Sequence, residues 1–333
     1  MAATLKDVAE LAGVSRSAVS RTFTKGASVS LKTRNKVMSA ADSLGYSPNA
    51  LASSLTTGRT KMIGLVSNNF HNPIFLEVFD LFTRGLHQRD LRPLLVNLTD
   101  ETDPEASVRM LRQYSVDGVI VASSTLPSGF SKAFRDAGVP VVHSFGRHSA
   151  VPEVDVLGID NIAAGSLAAR TLIERGYSDI GFLGGPVDAT STIDREKGFI
   201  SEAALYKGVS ATTSFASAYS FDAGYSEMTR LLKNKPAEAY FCGDDVLSVG
   251  ALSALQAAGY NVPNDVGLIG LNNMEMSGWA NINLTTIHNP FAKIIEASIN
   301  RVTALVETPD LQPKASLFDC SVVERGSLRP PKA

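Results

Sequence analysis

The 333-residue sequence contains two cysteines, one tryptophan and no run of eighteen apolar residues. Cys242 and Cys320 lie far apart and belong to no C-x-x-C motif or Cys/His cluster, which argues against a zinc site and fits a reducing compartment. Without a long apolar run, no helix is expected to span a membrane. The first residues, MAATLKDVAE, lack the apolar core of a signal peptide, so we predict a cytoplasmic protein.

The sequence also lacks the glycine patterns of nucleotide-dependent enzymes. Neither G-x-G-x-x-G nor a Walker loop follows a predicted strand, and no G-x-S-x-G elbow occurs. No pair of carboxylates recurs with a matched base. We therefore expect no catalytic residues, no cofactor and no metal site, and we predict that the protein is not an enzyme.

The net charge is −2, but the charges are unevenly distributed. Residues 1–60, hereafter the head, carry eight basic and three acidic side chains, a net charge of +5. Residues 61–333, hereafter the body, therefore carry −7. A basic head on an acidic body predicts that the head binds a polyanion, because clustered positive charge attracts phosphates.

Two short helices are predicted at the start of the head. Thr4 and Asp7 have the spacing of a capping box before the first helix. Gly13 suits the end of that helix, since glycine adopts the left-handed conformation readily. Ser15 is expected to cap the second helix. The pattern therefore predicts two helices joined by a tight turn.

A third helix is predicted over residues 31–44. Ser30 is its expected cap, and Gly45 is expected to end it. The side chains expected to be buried are Val37, Ala41 and Leu44.

Three short helices with a tight turn between the first two are typical of a helix-turn-helix. In such a unit the second helix lies in the major groove of DNA, where its first turns contact base edges. Arginine can donate two hydrogen bonds to guanine there, and serine can contact bases or phosphates. The residues at these positions are Ser15, Arg16, Ser17, Ser20 and Arg21. The alternative is a solvent-facing helical bundle with ordinary surface charge.

The stretches TLKDVAELAGVSRSAVSRTF and VSLKTRNKVMSAADSLGYSPNALASSL make the similarity specific. They resemble the N-terminal region of the lac-repressor/galactose-repressor family of bacterial transcription regulators, and the resemblance covers nearly the whole chain. It implies that Arg16, Ser17 and Arg21 contact bases. It also implies a DNA-binding role for Thr4.

The segment after Tyr46 predicts a hinge. Its helix formers run from Asn49 to Leu55, too short a stretch to hold a helix alone in water. The resemblance implies a hinge helix that contacts the minor groove through Asn49 and Ala52. In it, Leu55 wedges between base pairs beside its dimer mate. The alternative is a plain flexible linker.

Apolar strands and amphipathic helices alternate through the body, which is typical of parallel sheets covered on both faces. The predicted strands are MIGLVS, PLLVNL, GVIVAS, VPVVHSF, DVLGID, DIGFLGG, EAYFCGDD, DVGLIGL and LTTI. They are too many for one compact sheet, so we predict two doubly wound parallel-sheet subdomains that divide near Asp160. The resemblance implies a periplasmic-binding-protein-like body in which the chain crosses back near His288–Pro290.

These observations set the predicted domain limits. They are an all-α helix-turn-helix domain at 1–46, a hinge helix or linker at 47–60, and an effector-binding and dimerisation domain at 61–333. Within the body, the N-subdomain covers about 61–160 and 291–319, and the C-subdomain about 161–290 and 320–330.

Polar and aromatic residues follow the predicted strands, where open parallel sheets bind their ligands. Asparagine, aspartate and arginine can bind vicinal hydroxyls, and aromatic rings cover the apolar face of a sugar. The strand ends and the resemblance together assign effector contacts to Asn69, Phe75, Phe145, Ser191, Arg195, Tyr219, Asp244 and Asn272. The sequence therefore predicts a cleft for a sugar or polyol.

Three alternatives remain open for this set. Arg195 is also placed to form a surface ion pair with Glu196 or Asp194. Phe75 and Phe145 are equally suited to the core. One of the two adjacent aspartates should cap a helix, and we assign Asp244 to the ligand and Asp245 to the structural role.

Three positions depart from the pattern of the family. Asn272 stands where a sugar-binding aspartate is common, which removes a negative charge and adds donors. Ala189 and Ser191 stand where purine-binding relatives carry other polar side chains, which disfavours a purine corepressor.

The sequence as a whole predicts a homodimeric DNA-binding transcription regulator, a repressor of carbohydrate-catabolism genes that binds a near-palindromic operator. A sugar or polyol in the cleft would control its operator affinity. One alternative is the same class of regulator with a sugar phosphate, nucleoside or nucleobase as corepressor. Another is a solute-binding protein, which the helix-turn-helix and the missing signal peptide disfavour.

Overall fold

The computed structural model describes residues 3–24, 26–48, 54, 58–98 and 103–331 of the chain. These residues fall into two compact units, Met1–Thr60 and Lys61–Ala333. The first unit is the head and the second is the body.

The head contains three helices, and their ends are set by local side chains. They are α1 (Leu5–Ala12), α2 (Arg16–Phe23) and α3 (Leu31–Leu44). Thr4 forms the predicted capping box with Asp7, and Ser15 and Ser30 accept hydrogen bonds as caps of the next two helices. The predicted three-helix head is therefore confirmed.

A small apolar core holds the three helices of the head together. Its buried members are Val8, Ala9, Ala12, Val19, Val37, Ala40 and Ala41. The prediction that Leu44 is buried is wrong, since its side chain is 37% exposed. The core of the head ends at Ala41, and the three residues of α3 that follow it (Asp42, Ser43 and Leu44) all face solvent.

The body contains twelve strands and eight α-helices among its described residues. The strands are β1 (Met62–Ser67), β2 (Arg92–Asn97), β3 (Gly118–Ala122), β4 (Val141–Ser144), β5 (Asp155–Ile159), β6 (Asp179–Gly184), β7 (Ser210–Phe215), β8 (Ala239–Cys242), β9 (Gly267–Asn272), β10 (Thr285–His288), β11 (Ala315–Phe318) and β12 (Ser321–Val323). The helices are α4 (Ile74–His87), α5 (Pro104–Gln113), α6 (Ser128–Asp136), α7 (Asn161–Glu174), α8 (Thr190–Ala203), α9 (Phe221–Leu231), α10 (Asp245–Ala257) and α11 (Phe291–Glu307).

The strands form two six-stranded sheets. The first sheet has the order β11-β5-β4-β3-β1-β2 and is parallel throughout. The second sheet has the order β12-β10-β9-β8-β6-β7, in which β12 alone is antiparallel to its neighbour. The predicted fold class, an all-α head with an α/β body of two doubly wound sheets, is confirmed.

The chain passes between the two sheets three times. It leaves the first sheet after β5, returns to it after β10 when α11 packs on β3, β4 and β5, and leaves again between β11 and β12. Each sheet is therefore built from discontinuous stretches of chain.

Three strands escaped the sequence analysis, namely β7, β11 and β12. All three lie at sheet edges, where half-exposed residues replace the apolar run of a central strand. Ser and Thr make up most of β7, so its pattern is not that of a buried strand.

The helix pair α7–α8 packs closely because glycines lie at the contact. A Cβ on Gly165 would lie 2.1 Å from the carbonyl oxygen of Arg195, and one on Gly198 would lie 1.9 Å from that of Ile162. These distances are shorter than any non-bonded contact, so the two backbones meet only where no side chain intervenes. The position of α8, and of Arg195 on it, thus depends on these glycines.

We predict that Gly165→Ala destabilises the protein by about 1–3 kcal/mol, the usual cost of overpacking a close contact. Urea denaturation of the full chain measures this loss. Gly129→Ala in α6 is the matched control, because its Cβ would meet nothing within 4 Å. We expect the control to be neutral or slightly stabilising, and equal losses for both variants would contradict the close-contact argument.

Candidate nucleic-acid interface and buried cleft

The second helix of the head presents a polar face to solvent. Arg16, Ser17, Ser20 and Arg21 are all exposed on α2. The hydroxyl of Ser15 accepts a hydrogen bond from the Ala18 N–H (3.2 Å) and lies 2.9 Å from that of Ser17. The face is therefore free to contact a ligand, while its first serine also caps the helix.

The start of α1 lies beside this face. A shallow groove on the head is lined by Thr4, Leu5, Lys6, Arg16, Ser17 and Ser20. The Thr4 hydroxyl donates to Asp7 Oδ2 (2.7 Å), and the Asp7 N–H donates back to that hydroxyl (3.3 Å). This pairing holds the pKa of the Asp7 carboxyl below its usual value. Thr4 therefore anchors α1 at the edge of the same polar surface.

The predicted hinge contacts Asn49, Ala52 and Leu55 lie outside the described residues. Within the described ones, the Gly58 N–H donates to the carbonyl of Ser54 (2.8 Å), the spacing of an α-helical turn. Gly58 has a φ of 67°, as glycines that end helices often do.

A buried cleft lies in the body where the carboxyl ends of the two sheets meet. It is lined by seven of the eight predicted effector residues, Asn69, Phe75, Phe145, Arg195, Tyr219, Asp244 and Asn272. The eighth, Ser191, does not line the cleft, but its hydroxyl lies 3.3 Å from that of Tyr219. The strand-end rule thus collects residues that are distant in sequence into one place.

The lining has two chemically distinct parts. The apolar wall, as we call it, consists of Ile74, Phe75, Val78, Phe145, Ile159 and Phe291. The polar wall consists of Asn69, Asn72, Ser124, Asn161, Arg195, Tyr219, Asp244, Asn272 and Asn289. Phe75 and Phe145 line the cleft and are also buried members of the core. Both the ligand-contact and the core interpretation of these rings therefore stay open.

Arg195 is buried and points across the polar wall. Its Nε donates to Asn161 Oδ1 (2.8 Å) and its Nη1 donates to the carbonyl of Gly243 (2.6 Å). A surface ion pair with a neighbouring carboxylate is therefore wrong for this residue, which is 4% exposed. Asp194 instead accepts from Arg147 (2.5 Å). The remaining guanidinium nitrogen, Nη2, has no recorded partner among the described residues.

Asp244 lines the cleft and also caps α10, whereas the sequence analysis divided ligand contact and capping between two aspartates. Its Oδ1 accepts from the Val246 N–H (2.9 Å) as the cap of α10, and its Oδ2 accepts from Asn72 and Asn272 (both 2.9 Å). Burial raises the pKa of its carboxyl to about 6, although these bonds and the Arg195 charge lower it. The assignment of the cap to Asp245 is wrong, because Asp244 is the residue with the extended backbone before the first turn.

Asp245 lies behind the cleft and holds the ends of the neighbouring strands. It accepts hydrogen bonds from the Thr286 hydroxyl (2.5 Å) and the Met274 N–H (2.7 Å). Burial, together with the nearby Asp244 charge, raises the pKa of its carboxyl to about 8. Its role is therefore structural, as expected, although it is not the cap.

Hydrogen bonds join the two sides of the cleft. They run from Asn72 Nδ2 to Asp244 Oδ2 (2.9 Å), from Thr190 Oγ1 and the Ser191 N–H to the Ser124 carbonyl (3.0 and 3.2 Å), and from Arg147 to Asp194 (2.5 Å). The cavity between the walls measures about 30 Å³. Since a water molecule needs about 10–15 Å³ measured in this way, the arrangement is a closed cleft with room for a few waters.

Two lining residues have strained backbones. Phe145 and Asn272 have φ values of 66° and 115°, in the region that favours glycine. Such strain often accompanies functional sites, where the surrounding structure holds a side chain in place. Here it turns both side chains into the cleft directly after β4 and at the end of β9.

The sequence analysis omitted three polar lining residues that its own rule would have found. Asn161 follows β5, Asn289 follows β10 and Ser124 comes two residues after β3, so all three lie just beyond the carboxyl end of a strand. Asn72, in the loop after β1, also lines the cleft and was not assigned to the site either. The position of Asn72 after a strand was visible in the sequence. Its hydrogen bond to Asp244, which lies 172 residues away in the chain, was not.

Comparison with known proteins identifies the family. Residues 4–49 match the family model for bacterial regulatory proteins of the lacI family, and residues 169–328 match the periplasmic binding protein-like domain. The HTH-type transcriptional repressor PurR of Escherichia coli O139:H28 (strain E24377A / ETEC) is 32% identical over 333 residues, spanning 98% of this chain and 97% of PurR. The chain belongs to the lacI family of bacterial regulatory proteins.

Two solved structures of regulators have a fold similar to that of this chain. A transcriptional regulator CelR–cellobiose complex aligns with a TM-score of 0.73 at 28% identity, covering 98% of this chain and 99% of that one. The Lac repressor dimer bound to operator and the anti-inducer ONPF aligns with a TM-score of 0.87 at 24% identity, covering 98% and 99%. The second likeness establishes the fold alone.

As a lacI-family member, the protein is a DNA-binding transcription regulator with an effector-binding domain, and it is not an enzyme. Within the described ranges, no helix has the length and apolar character needed to cross a membrane. In the same ranges, no three His, Cys, Asp or Glu side chains cluster to hold a metal ion.

Arg16→Ala and Arg21→Ala should each weaken specific DNA binding by about 1–3 kcal/mol, the usual value of a bidentate arginine–guanine contact. Fluorescence anisotropy at fixed salt, with an operator recovered by in vitro selection and a random duplex, measures the loss. Lys36→Ala is the control, because this exposed cation lies on α3. Equal losses on both duplexes for the α2 variants would contradict base contacts.

The raised pKa of Asp245 predicts a pH dependence of stability. Its ordinary value is 3.8, so the folded state binds this proton more tightly than the unfolded chain does. The resulting stability is complete below about pH 4 and is lost as the pH rises to about 8.

We therefore expect Asp245→Asn to flatten the fall in stability between pH 6 and pH 8, a range that lies largely above the Asp244 transition near 6. Urea denaturation across this range measures it. Asp222→Asn, on the exposed first turn of α9, should keep the wild-type slope. If the free energy of unfolding of Asp245→Asn falls with pH as steeply as that of the wild type, the proton responsible for the fall is bound by another group.

Proposed function

We propose that the protein is a homodimeric repressor of carbohydrate-catabolism genes that binds a near-palindromic operator. Its effector is a sugar or polyol that binds between the apolar and polar walls of the cleft. The repressor role rests on similarity to PurR, a transcriptional repressor. The domain limits 1–46, 47–60 and 61–333, with the subdomain limits given above, are part of this proposal.

The observation that carries the effector class is the two-sided lining of the cleft. Sugars have an apolar ring face and a rim of hydroxyls, and the cleft pairs three phenylalanines with five asparagines. Amide side chains donate and accept at once, which suits hydroxyls that do the same. A purine ring has two apolar faces, and this cleft offers an apolar wall on one side only.

The charges of the lining favour a neutral effector. Arg195 is the one cation and Asp244 the one anion among the described residues that line the cleft. A sugar phosphate would gain from Arg195 but would bring a second negative charge to the buried carboxylate of Asp244. The CelR structure, 28% identical to this chain, holds cellobiose, a neutral sugar.

The DNA-binding assignment uses the exposed face of α2. A two-fold dimer presents this face twice, so the operator consists of two related half-sites about 34–36 Å apart, or a multiple of that distance. Thr4, Ser15, Arg16, Ser17, Ser20 and Arg21 contact the major groove and its phosphates. Asn49, Ala52 and Leu55 contact the minor groove, where Leu55 unstacks a base step.

Effector binding would act through the closure of the cleft. The cavity has room for only a few waters, so we expect the two sides of the cleft to separate when a sugar binds. A change in closure would move the hinge segments and alter operator affinity. If the protein has two conformations of the cleft, an effector that changes their ratio from 1:99 to 99:1 must bind the favoured conformation about 5.5 kcal/mol more tightly than the other.

A thermal-shift screen of the full chain tests the effector class. The panel contains D-glucose, D-galactose, D-mannose, D-fructose, cellobiose, mannitol, glucose 6-phosphate, adenosine and hypoxanthine. We expect a neutral sugar or polyol to stabilise the protein by about 2.7 kcal/mol at 100 times its dissociation constant. Stabilisation by the phosphate or the purine compounds alone would overturn the carbohydrate assignment.

Arg195→Lys should weaken binding of the active sugar at least about tenfold, because lysine cannot reproduce charge-assisted bonds worth about 1.5–3 kcal/mol. Operator affinity without effector should stay unchanged. Arg170→Lys is the matched control, since Arg170 pairs with Glu202 between α7 and α8 and does not line the cleft. A normal response of Arg195→Lys would remove Arg195 from the site.

A further inference from the structure

Four helices, α7 to α10, alternate with the strands of the second sheet, and three of them begin with a side-chain cap of their own. Asp160 caps α7, Ser220 caps α9 and Asp244 caps α10, each through an oxygen that accepts a backbone N–H of the first turn. The fourth helix, α8, begins after Ala189, whose methyl side chain cannot accept a hydrogen bond. The first turn of α8 therefore depends on an acceptor from elsewhere in the protein.

That acceptor lies on the other side of the cleft, in the loop that follows β3 of the first sheet. The Ser191 N–H, in the first turn of α8, donates to the carbonyl oxygen of Ser124 (3.2 Å). The Thr190 hydroxyl donates to the same oxygen (3.0 Å). Ser191 is buried in this arrangement, so the protein and not bulk water supplies the acceptor. One carbonyl on the side of the first sheet thus caps a helix on the side of the second.

The loop that carries this carbonyl is held by residues of the first sheet. The Ser123 hydroxyl donates to Asn68 Oδ1 (2.9 Å), and Asn68 Nδ2 donates to the Thr125 hydroxyl (3.0 Å). On β4, Nε2 of His143 lies 3.0 Å from the carbonyl oxygen of Ser123. Because all these partners lie in or directly after β1, β3 and β4, we expect the Ser124 carbonyl to stay with the first sheet when the two sides separate.

We propose that the Ser124 carbonyl is a removable cap of α8, in place when the cleft is closed and withdrawn when the cleft opens. Ala189 gives the contact this property, since a helix with a cap of its own would keep its first turn in both states. Opening leaves the Ser191 N–H and the Thr190 hydroxyl to water and loosens the turn that precedes Arg195. Closure is therefore coupled to the order of the helix that carries Arg195. This inference rests on the proposed opening of the cleft and is independent of the class of effector.

A hydroxyl at position 189 should remove the coupling. The backbone of Ala189 is extended, as is that of the cap residue Ser220 in α9. Ser220 accepts from the N–H three residues further along, that of Ala223 (3.3 Å), and the equivalent group in α8 is the Thr192 N–H. Ala189→Ser therefore gives α8 a cap that does not depend on the first sheet. Ala189→Cys is the control of similar size, because sulfur is only a weak acceptor.

Asn72→Ser weakens closure through a contact that does not include α8. The serine is too short to keep the bond from Asn72 Nδ2 to Asp244 Oδ2 (2.9 Å) across the cleft. Its hydroxyl can still accept from the Ile74 N–H, as Asn72 Oδ1 does (3.2 Å), so the start of α4 is retained. If the cap of α8 is removable, this distant change exposes the first turn of α8 to solvent more often.

Hydrogen–deuterium exchange of the full chain without effector measures this exposure, with mass spectrometry of peptides that cover residues 186–195. We expect Asn72→Ser to raise the exchange rate of the first-turn amides of α8 about tenfold, as for one lost hydrogen bond to a charged group. The same rise is expected when Asn72→Ser is combined with Ala189→Cys. Combined with Ala189→Ser, it should be less than about twofold. Peptides that cover the first turn of α9, which Ser220 caps, should exchange equally in all variants.

Two results would overturn the inference, and they are distinguishable. An equal rise with Ala189 and with Ala189→Ser would show that the cleft opens but that the Ser124 carbonyl does not link opening to α8. The proposed opening of the cleft would then stand. No rise in either background would contradict both the removable cap and the opening on which it rests. The thermal-shift screen tests the effector class separately from both.

Discussion

The carboxylate of Asp244 is bonded to groups from both sides of the cleft, and the geometry of the site depends on it. One oxygen caps α10, and the other accepts from Asn72 after β1 and from Asn272 at the end of β9. Because a carboxylate accepts and does not donate, these bonds determine which way the amides face. The cost of holding this charge out of water appears in its raised pKa. The one buried carboxylate of Asp244 therefore caps a helix, bonds the two sides of the cleft to each other and orients the amides of the polar wall.

Closure and recognition share the same groups. One of the hydrogen bonds across the closed cleft joins Asn72 and Asp244, which both belong to the polar wall, so a ligand that binds there competes with a hydrogen bond of the protein itself. A ligand shifts a conformational equilibrium only by its difference in affinity for the two states. Under the proposed function, such a difference is the free energy available to change DNA affinity. The close glycine contacts between α7 and α8 set the position of Arg195 on α8.

Much of the fold follows from local pattern, and the misses have physical causes. Central strands such as β3 and β8 are buried runs that stand out in the sequence, whereas the edge strands β7, β11 and β12 are half-exposed and do not. Seven of the eight predicted effector residues line the cleft because strand ends of parallel sheets converge. Ser191 does not line the cleft, because its side chain is buried against the Tyr219 hydroxyl. The position of a residue along a helix does not show how far its side chain lies from a cavity.

The sequence by itself determined the helix caps of the head, its basic charge, the alternation of strands and helices and the membership of a regulator family. All of these depend on neighbouring residues or on composition. Tertiary structure alone decided where the chain changes sheets, which aspartate caps α10 and which carbonyl accepts from the first turn of α8. These depend on pairs such as Asn72 and Asp244, 172 residues apart, whose meeting is set by sheet order and not by any local period.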